Sequence, residues 1–570
     1  MPHQPQGVVL FDPAQWTPSA SSSSDGKCIP LLSASASASV QSMLSPPPAS
    51  VIIPATVPST PTSTSRSRAI TSTRLRRTTP VAPVTHAANC GLLVNYFVCG
   101  VVQGAARALV YSFLRLYLRL SDRQLQNSFS LLGFGWCFTF VFGFVSDCVP
   151  VMRRRRKPLM LLGHVIPIAF ELGVAVSPTV APYAEHGAVV NPNAARERDR
   201  YVLPAMLGSF GHAMLSTATE AMIVEHAHRE SEHARGRVQL LLYATRYAGE
   251  FVSMLSIALA CNSDAFGGRF SFAVPVTTVV GALSVFSLVG IYATLFHIQE
   301  PPALGRRPVS SHFLAVWRFM EQRATWQITL FGVLHTICYT YKLPQQDSVY
   351  ERWLSGDVLL RKLGLAGGSA MHVLAFLVLR TDRLRNMSWR RVLLTVVPAS
   401  TSLSMLATYL CVVDSARRPA LALVDMLAVA LCNAVAWIIR LLCVVEIAEP
   451  GYEATCFTLV TAIHNLGPAL ATALATALDT LLDGDGSLTR QRIEQDAESV
   501  RTRLAWSYGV LFALRLVVGL ALLPLLPRQK RATKQLKAQG SPSVIVPVAF
   551  AGLFAALFAA TWGAVVASAL

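Results

Sequence analysis

The segment FGFVSDCVPVMRRRRK, residues 142–157, says most about the architecture of this chain. An apolar stretch ends in Asp147, five consecutive cationic residues begin at Arg153, and a second apolar stretch starts at Pro158. A carboxylate at a lipid boundary is costly unless it is paired, and guanidinium groups are its natural partners. The segment therefore predicts two membrane-spanning helices joined by a short basic loop, although arginines that only fix membrane topology would give the same pattern.

The composition of the whole chain agrees with a membrane protein. Of its 570 residues, 52% are hydrophobic and 14% are charged, unlike the mixture of a soluble globular protein. Apolar stretches of about 20 residues, each long enough to cross a ~30 Å hydrocarbon core, recur along it. The seventh stretch is the weakest, because Gln327, His335 and Lys342 interrupt it. We predict spans at residues 92–117, 128–149, 158–180, 201–224, 238–261, 272–296, 325–343, 362–380, 392–413, 419–445, 455–480 and 504–526.

The formal net charge of +18 has a membrane explanation. If the N-terminus is cytoplasmic, the basic clusters all fall on the cytoplasmic side, in agreement with the positive-inside rule. A nucleic-acid partner would need a folded basic surface with interleaved aromatic residues, and none is found outside the spans. We therefore predict a multi-pass protein of the lipid bilayer with a cytoplasmic N-terminus and no nucleic-acid partner. The basic clusters are at residues 74–77, 153–157, 306–323, 380–391 and 528–537.

The two ends of the chain lie outside these spans. Residues 1–86 are rich in Ser, Thr, Pro and Ala and bury too little apolar surface to fold, so we predict a disordered cytosolic tail. An organelle transit peptide is the alternative, although Asp12 and Asp25 precede the first arginine. At the other end, residues 527–542 are a basic linker, and the uncharged, apolar residues 543–570 predict a thirteenth span.

Short motifs in both halves of the chain carry a family resemblance. They are Tyr96-Phe97 with Gln103-Gly104, Trp136, Gly143-x-x-Ser146-Asp147-x-x-Pro150, and Gly451-x-Glu453-Ala454-Thr455 followed by Asn465-x-Gly467. Over residues 92–526 the chain resembles the folate-biopterin transporter family, a branch of the major facilitator superfamily. The resemblance implies an all-α polytopic bundle of two six-helix halves, residues 87–296 and 325–526, joined by a cytosolic loop at residues 297–324.

The chain also departs from the pattern of that family. Trp136 is followed by Cys137 and Phe138 where family members have a lysine–proline pair, and Leu116 and Tyr117 replace acidic residues. A cation and two carboxylates that the family places near its pathway are therefore missing. The resemblance leaves the substrate and its ion coupling open.

Ionisable residues within the spans are candidates for a substrate site, because a charge in the bilayer is costly unless it faces the bundle interior. Arg246 and Glu250 are four residues apart, so they share a helix face and can pair with each other. In a facilitator-type carrier this pair would lie between the halves, where substrate binds. Arg246 would offer donors to an anion, and Glu250 would release it or carry a competing proton. A purely structural ion pair is the alternative.

Other polar residues are assigned from their positions along the spans. Asn465 is a predicted pathway residue, and Arg107 and Arg515 are predicted to join the substrate site, with a packing role equally open for these two. Three further ionisable residues lie nearer the span ends, where we expect their side chains to reach towards water. They are Glu220, Asp425 and Arg440.

A second group of residues is predicted to act as a gate. In facilitator transporters the loop between the second and third spans latches one half against the other, and the resemblance implies this role for Asp147 with Arg155 and Arg156. Glu453 lies in the first turn of span 11, where the helix dipole favours a carboxylate regardless of function. We predict that Glu453 also pairs across the halves with the arginines at 390–391.

The sequence therefore predicts a secondary-active transporter that moves a folate- or pterin-like organic anion, or a related small molecule, by alternating access. A proton or substrate gradient would drive it, and no prosthetic group or metal is needed. The eleven cysteines form no Cys-x-x-Cys or Cys/His cluster.

A transporter-like receptor or scaffold without flux is the alternative. A membrane-embedded enzyme is a third hypothesis, which rests only on His226, His228 and His233 and which a solvated loop also explains.

Overall fold

The computed structural model describes residues 83–569, with gaps at 88, 304, 306–307, 342, 344–345, 347–348, 351–356, 413–418, 469, 472–473, 476–489 and 540–542. The predicted disordered tail up to residue 82 lies outside the described residues, as do the arginines at 306–307 and residues 476–480 of the predicted eleventh span. Residues 83–86 form a turn in which Val84 is buried. All described residues belong to one compact unit, Thr78–Leu570.

The first half of this unit is built from helices joined by short loops. A two-stranded antiparallel hairpin, β1 Ala184–Glu185 and β2 Ala188–Val189, lies between the fourth and fifth helices. The helices are α1 Gly91–Leu109, which continues as a π-helix over Val110–Tyr117, α2 Asp122–Leu132, α3 Thr139–Cys148, α4 Lys157–Ala175, α5 Asp199–Arg229, α6 Arg237–Ala260 and α7 Val276–Phe296.

The second half begins with a short amphipathic helix and ends with two additional helices. Its elements are α8 Val309–Glu321, α9 Arg323–Thr340, α10 Val358–Leu379, α11 Asp382–Arg385, α12 Trp389–Val412, α13 Pro419–Ile447, α14 Glu453–His464, α15 Arg490–Gln495, α16 Glu498–Ala521, α17 Lys530–Gln539 and α18 Ile545–Ala569.

The all-α polytopic architecture predicted from the sequence is confirmed. Helices overlap every predicted span, and within the described residues seven helical segments are long and apolar enough to cross a membrane. Two other long helices, α5 and α6, are more polar because they carry Glu220, Arg246 and Glu250. The seven are Gly91–Tyr117, Lys157–Ala175, Val276–Phe296, Val358–Leu379, Trp389–Val412, Pro419–Ile447 and Glu498–Leu525.

The predicted second span, residues 128–149, is broken in the structure. Helix α2 is followed by a 3₁₀ turn over Phe134–Phe138 before α3 begins. Helix α5 holds this break, since the Gly135 N–H donates to Ser209 Oγ at 3.0 Å. A Cβ at position 135 would lie 2.5 Å from the Ser209 hydroxyl, so only glycine allows the approach. The break directs Trp136 into the first half, where it lines a cavity.

Close packing fixes the position of α1 relative to α6. A Cβ at Gly100 would lie 1.8 Å from the carbonyl oxygen of Arg246, and one at Gly249 would lie 2.3 Å from that of Phe97. Small residues let membrane helices approach backbone to backbone in this way. The side chains that follow on each helix, from Gln103 onwards on α1 and from Arg246 onwards on α6, are therefore brought within reach of each other.

The C-terminal helix α18 packs on the N-terminal half. The Phe558 ring lies 6.2 Å from Phe134 and 5.9 Å from Phe138 between centroids. Its approach is fixed by the Ser543 N–H, which donates to the carbonyl of Glu321 at 2.9 Å. The segment predicted as a thirteenth span is thus a helix, and its crossing of the membrane stays a prediction.

The basic loops meet at one end of the bundle, which we call the latch end. Arg156 contacts Glu225 near the end of α5, and Lys530 Nζ donates to the carbonyl of Glu232. Arg385 donates to the carbonyl of His233 in the same α5–α6 loop. This grouping is what an orientation with all basic loops on the cytoplasmic side requires. The orientation itself stays a prediction.

Glycosylation of Asn386 tests that orientation. Asn386-Met387-Ser388 is the only Asn-x-Ser/Thr sequon of the chain, and Asn386 follows α11 at the latch end. We expect no glycan at Asn386 when the protein is made in a eukaryotic membrane, because glycosylation takes place on the opposite side. The measurement is a glycosidase mobility shift, with a sequon introduced into the loop at residues 184–190 as the positive control. A glycan on Asn386 would invert the orientation.

Candidate functional site

An ion pair between α1 and α6 of the first half lies where these helices meet α10 of the second half. Arg107 Nη1 lies 2.6 Å from Glu250 Oε1, and the same carboxylate oxygen accepts a hydrogen bond from Ser369 Oγ at 3.0 Å. The Glu250 side chain is 1% exposed, whereas that of Arg107 is 48% exposed. The pair therefore combines a buried anion with a cation that faces an open space and can contact a ligand.

Arg246 has a different set of partners, on α1 and α5. Its Nη2 and Nε donate to Gln103 Oε1 at 2.7 and 3.2 Å, and its Nη1 lies 3.4 Å from Glu220 Oε1. The guanidinium also lies over the rings of Tyr96 and Trp136, 5.4 and 5.7 Å from their centroids. Tyr96 OH donates to the Glu220 carboxylate at 3.2 Å. Arg246 is thus held by a carboxylate, an amide and two aromatic faces.

The predicted pairing of Arg246 with Glu250 is wrong in this structure. Each of the two residues instead contacts a partner on a neighbouring helix, Glu220 for Arg246 and Arg107 for Glu250. The physical reason is the glycine packing of α1 on α6, which places Gln103 and Arg107 beside this face of α6. Interhelical partners at that distance replace the weaker pairing along one helix.

We call the charged residues around Arg246 and Glu250 the cluster. Aromatic side chains connect the cluster to the second half. The Tyr247 ring stacks on His372 of α10 at 4.3 Å between centroids with an interplanar angle of 6°. Trp437 of α13 lies 5.7 Å from Tyr247 and 4.8 Å from Tyr243. Helix α13 therefore faces α6 at the level of Arg246 and Glu250.

Arg440 lies one turn beyond Trp437 on α13 and has no carboxylate partner among the described residues. It is 3% exposed, and its Nη1 donates to the carbonyl of Gly332 at 3.0 Å and to Thr336 Oγ1 on α9. Its Nε is buried without a hydrogen-bond partner. A buried guanidinium without an anion is expensive. This arginine is therefore suited to take up an anion that arrives from outside the chain.

The expectation that Glu220, Asp425 and Arg440 reach towards water is wrong. The Glu220 side chain is 12% exposed, and Asp425 and Arg440 are 5% and 3% exposed. Asp425 accepts hydrogen bonds from Tyr350 OH and Ser404 Oγ. Helices α5 and α13 have 31 and 29 residues, more than the ~20 that cross a bilayer, so distance from a helix end does not give depth.

The other predicted site residues are not joined to this cluster by the contacts of the described residues. Arg515 is 4% exposed, donates to the carbonyl of Tyr341 at 3.2 Å and lies over the Phe512 ring. Asn465 is exposed at the end of α14. Their roles in substrate binding stay predictions.

At the latch end, one buried arginine holds three carboxylates. Arg156 is 1% exposed, and its Nη2 lies 2.7 Å from Asp147, 2.9 Å from Glu225 and 3.8 Å from Glu453. The other oxygen of Asp147 accepts from Thr455 N–H and Oγ1 at 2.8 and 2.7 Å. We call these five residues the latch. Because α14 belongs to the second half, the latch ties the two halves together.

The structure gives partners to the residues of the predicted gate, and their gating role stays a prediction. Arg156 makes an ion pair with Asp147, and the backbone N–H of Arg155 donates to Glu300 at 2.6 Å. Glu453 faces Arg156 instead of the predicted arginines at 390–391. Arg390 donates to the carbonyls of Leu526 and Pro524, because α12 starts beside the end of α16.

Helix α17 forms a second bridge at the latch end. Lys530 Nζ donates to the carbonyls of Glu232 and Arg235 in the first half. Lys537 Nζ lies 2.7 Å from Glu449, which follows α13 in the second half. Burial lowers the pKa of Lys530 to about 8, partly offset by the nearby Glu446 carboxylate. The basic linker predicted at residues 527–542 therefore holds a helix that spans the two halves.

In the histidine run considered as a catalytic hint, the His228 ring and the His233 backbone contact neighbouring segments. His228 Nε2 lies 2.9 Å from the carbonyl oxygen of Val445, and the carbonyl of His233 accepts from Arg385. Among the described residues, no group of three His, Cys, Asp or Glu side chains is arranged to hold a metal ion.

Several residues of the cluster were missed or misplaced by sequence reasoning. Gln103, Trp136 and Tyr96 stood in the motifs that carry the family resemblance, so their contacts with Arg246 explain part of that pattern. No sequence motif pointed to Glu225 or Ser369. Their contacts, with Arg156 and Glu250 respectively, join segments more than 60 residues apart in the chain.

Comparison with known proteins identifies relatives for most of the chain. The family model described as the BT1 family matches residues 99–543. A folate-biopterin transporter of Synechocystis sp. is 22% identical over 388 residues, which cover 67% of this chain and 72% of the relative.

Solved structures of similar fold are transporters of the major facilitator superfamily. The proton:xylose symporter XylE bound to 6-bromo-6-deoxy-D-glucose is 13% identical with a TM-score of 0.50, covering 80% of this chain and 98% of its own. A double-tryptophan mutant of XylE is 12% identical with a TM-score of 0.54, covering 79% of this chain and 98% of its own. At this identity the likeness shows the fold and leaves the substrate undetermined.

Proposed function

The chain belongs to the BT1 family, the folate-biopterin transporters of the major facilitator superfamily, and we propose that it moves a folate- or pterin-like organic anion by alternating access. That it is a multi-pass membrane transporter follows from its family and its fold. The anionic substrate is the proposal, and it is supported by the charges at the junction of the halves.

The observation that carries the proposal is the excess of positive charge in the cluster. Two of its arginines, Arg107 and Arg246, have carboxylate partners, Glu250 and Glu220. The third, Arg440, has none among the described residues and is buried. A cationic site in a low-dielectric interior favours an anion over a neutral or cationic ligand. An incoming carboxylate would supply the partner that Arg440 lacks.

Arg107 gives the anion an entry point. It is the exposed member of its ion pair, so a substrate carboxylate can approach it without first displacing Glu250. A substrate carboxylate at Arg107 would compete with Glu250 for the same guanidinium. A proton carried by Glu250 while the substrate occupies Arg107 is the proposed basis of proton coupling. Ser369 of the second half contacts the same carboxylate, so the other half would respond to the change.

The latch provides the conformational step of the proposal. It closes one end of the junction, and α17 bridges the halves at the same end. Exposing the site to that end requires the contacts of Arg156 and Asp147 with the second half to break. Facilitator-type carriers change access by rocking one half against the other around a central site.

Arg440→Gln tests the anion site. We expect the half-saturation concentration for anionic substrates to rise about 10- to 100-fold, the loss of one charge-assisted hydrogen bond of about 1.5–3 kcal/mol. The measurement is uptake of labelled folate and biopterin into proteoliposomes, with neutral and cationic metabolites as competitors. The matched control is Arg318→Gln, which removes an exposed arginine of α8 and should leave uptake unchanged.

The contrary outcomes of this experiment separate the hypotheses. An unchanged half-saturation concentration for Arg440→Gln, at equal folded protein, contradicts the anion site. Saturable binding by the wild-type protein without flux would instead support the receptor or scaffold alternative.

A further inference from the structure

The N-terminal half contains a cavity beside the cluster. It has a volume of ≈ 170 Å³ and lies between α1, the 3₁₀ turn, α4, α5 and α7. Both α4 and α5 contain a proline that lines it, Pro167 and Pro204. A proline inside a helix removes a backbone hydrogen bond and bends the helix. The cavity is therefore a feature of how these helices are built rather than a gap between loose side chains.

The wall of the cavity is aromatic and apolar, with one carboxylate. Trp136, Phe170 and Phe113 line it together with Glu171 and His212. The Glu171 side chain is 10% exposed; its Oε2 accepts from Ser284 Oγ at 3.2 Å, and its Oε1 lies 3.6 Å from His212 Nε2. No Lys or Arg among the described residues forms an ion pair with Glu171, and His212 Nδ1 is buried without a hydrogen-bond partner. A carboxylate in apolar surroundings favours additional N–H donors.

The size of the cavity suits a flat ring. Cavities of about 150 Å³ in protein interiors accept one benzene molecule. A second cavity of ≈ 240 Å³ shares Phe113, Tyr201 and Val276 with the first, which provides room for a fused second ring or for entry. Apolar cavities with a few convergent polar groups are the usual form of small-molecule sites.

The cavity borders the arginine cluster. Gln103 lines it and accepts hydrogen bonds from Arg246, and Trp136 lines it and lies 5.7 Å from the Arg246 guanidinium. A ligand whose ring occupied the cavity would therefore have its far end one side chain away from Arg246. The Glu171 carboxylate in the cavity can accept from N–H donors of a ligand, and the arginines of the cluster can bind an anionic group of the same ligand.

We propose that this cavity binds the ring of the substrate, a flat heteroaromatic ring with two adjacent N–H donors directed at Glu171, while the anionic part of the substrate faces Arg246 and Arg107. This inference rests on the proposed function and specifies its substrate class. The two N–H groups of a 2-amino-4-oxopyrimidine edge match the two oxygens of a carboxylate, and the ring faces match Trp136 and Phe170.

The test measures the binding of three probes to the purified full-length protein in nanodiscs. Pterin has the ring and its 2-amino group, lumazine has a similar ring without the amino group, and p-aminobenzoylglutamate has only the anionic part. We expect wild-type protein to prefer pterin over lumazine. Glu171→Gln should weaken pterin binding about 10- to 100-fold, since one charged acceptor pair is lost, and leave p-aminobenzoylglutamate within about twofold.

A second variant keeps the inference falsifiable if Glu171→Gln does not fold. Ala106→Phe fills the cavity from α1 without touching the carboxylate, and it should abolish pterin binding while p-aminobenzoylglutamate still binds. Thermal unfolding of each variant measures the amount of folded protein. The matched control is Val285→Ala, an exposed residue of α7 that does not line the cavity and should bind all probes as wild type does.

The outcomes separate the inference from the proposed function. Wild-type uptake of folate with pterin binding unchanged in both variants overturns the inference and leaves the proposed function standing. Glu171-dependent pterin binding without any flux supports the inference and contradicts transport. Binding of neither pterin nor p-aminobenzoylglutamate to wild-type protein overturns both, and displacement of a bound lipid or detergent by Ala106→Phe alone shows an adventitious apolar occupant and overturns the inference.

Discussion

Arg156→Ala is expected to destabilise the protein by about 3–5 kcal/mol, because removing one partner of a buried ion pair leaves the other charge without compensation. Asp147 is 0% exposed and would lose the arginine with which it pairs, while Glu225 and Glu453 would repel each other. The measurement is thermal unfolding in detergent together with uptake at matched amounts of protein. Arg153→Ala removes an exposed arginine from the same loop and should have little effect.

Asp147→Asn separates the charge of the latch from its shape. The asparagine keeps the side-chain size and still accepts from Thr455, so we expect a smaller loss of stability than in Arg156→Ala, normal membrane insertion and slower turnover. Site-specific accessibility of a cysteine placed at the latch end would report a more open population. Unchanged kinetics in both variants would reduce the basic loop to a signal for membrane topology.

Arg246→Ala is the second change with a large expected effect, and its rescue identifies the true partner. The substitution leaves Glu220 buried with Tyr96 and Ser216 as its remaining hydrogen-bond donors, so we expect loss of uptake and a loss of stability of about 3–5 kcal/mol. The double variant Arg246→Ala/Glu220→Ala should recover much of that stability. Arg246→Ala/Glu250→Ala should not, since it also removes the partner of Arg107.

Arg246→Lys distinguishes a binding role from a structural one. Lysine keeps the charge near Glu220 but loses the planar fork that contacts Gln103 and Trp136. A binding role predicts normal stability with a raised half-saturation concentration for anions. Wild-type kinetics for the lysine variant, together with recovery in the Glu220 double variant, would remove Arg246 from the substrate site.

The sequence was sufficient to predict the helices and to single out Asp147, Arg156 and Glu453 of the latch. The length of an apolar stretch predicts a membrane span because the thickness of the bilayer determines how many residues a span needs. Asp147 followed by a basic loop predicts an ion pair because a carboxylate at the lipid boundary needs a cationic partner and the arginines are close to it in the chain. The resemblance implied a gate of Asp147 with Arg155 and Arg156, and the structure pairs Asp147 with Arg156, nine residues away along the chain. The helices and the facilitator-type fold are confirmed, and the membrane orientation stays a prediction.

The sequence was insufficient for partners on different helices. Arg246 and Glu250 satisfy the i, i+4 rule, yet the glycine packing of α1 on α6 supplies nearer partners that no local pattern encodes. Arg440 was misplaced for a related reason, since its helix is longer than a bilayer crossing and its depth depends on how α13 packs on α9. Tertiary packing decides which charged side chains of a helix bundle pair with each other. Spacing along the sequence predicts only the pairs that lie along one helix.

The glycine contacts between α1 and α6 have a consequence for the substrate affinities on the two sides of the membrane. With a Cβ at Gly100 only 1.8 Å from the Arg246 carbonyl, these two helices cannot slide past each other and must move as one piece. The charges they carry, Arg107, Arg246 and Glu250, then keep their positions relative to one another whichever side the carrier faces. Any difference in affinity between the two sides would come from the second half, which supplies Ser369 and Arg440. Unequal half-saturation concentrations measured from the two sides would therefore report how α10 and α13 shift against α1 and α6.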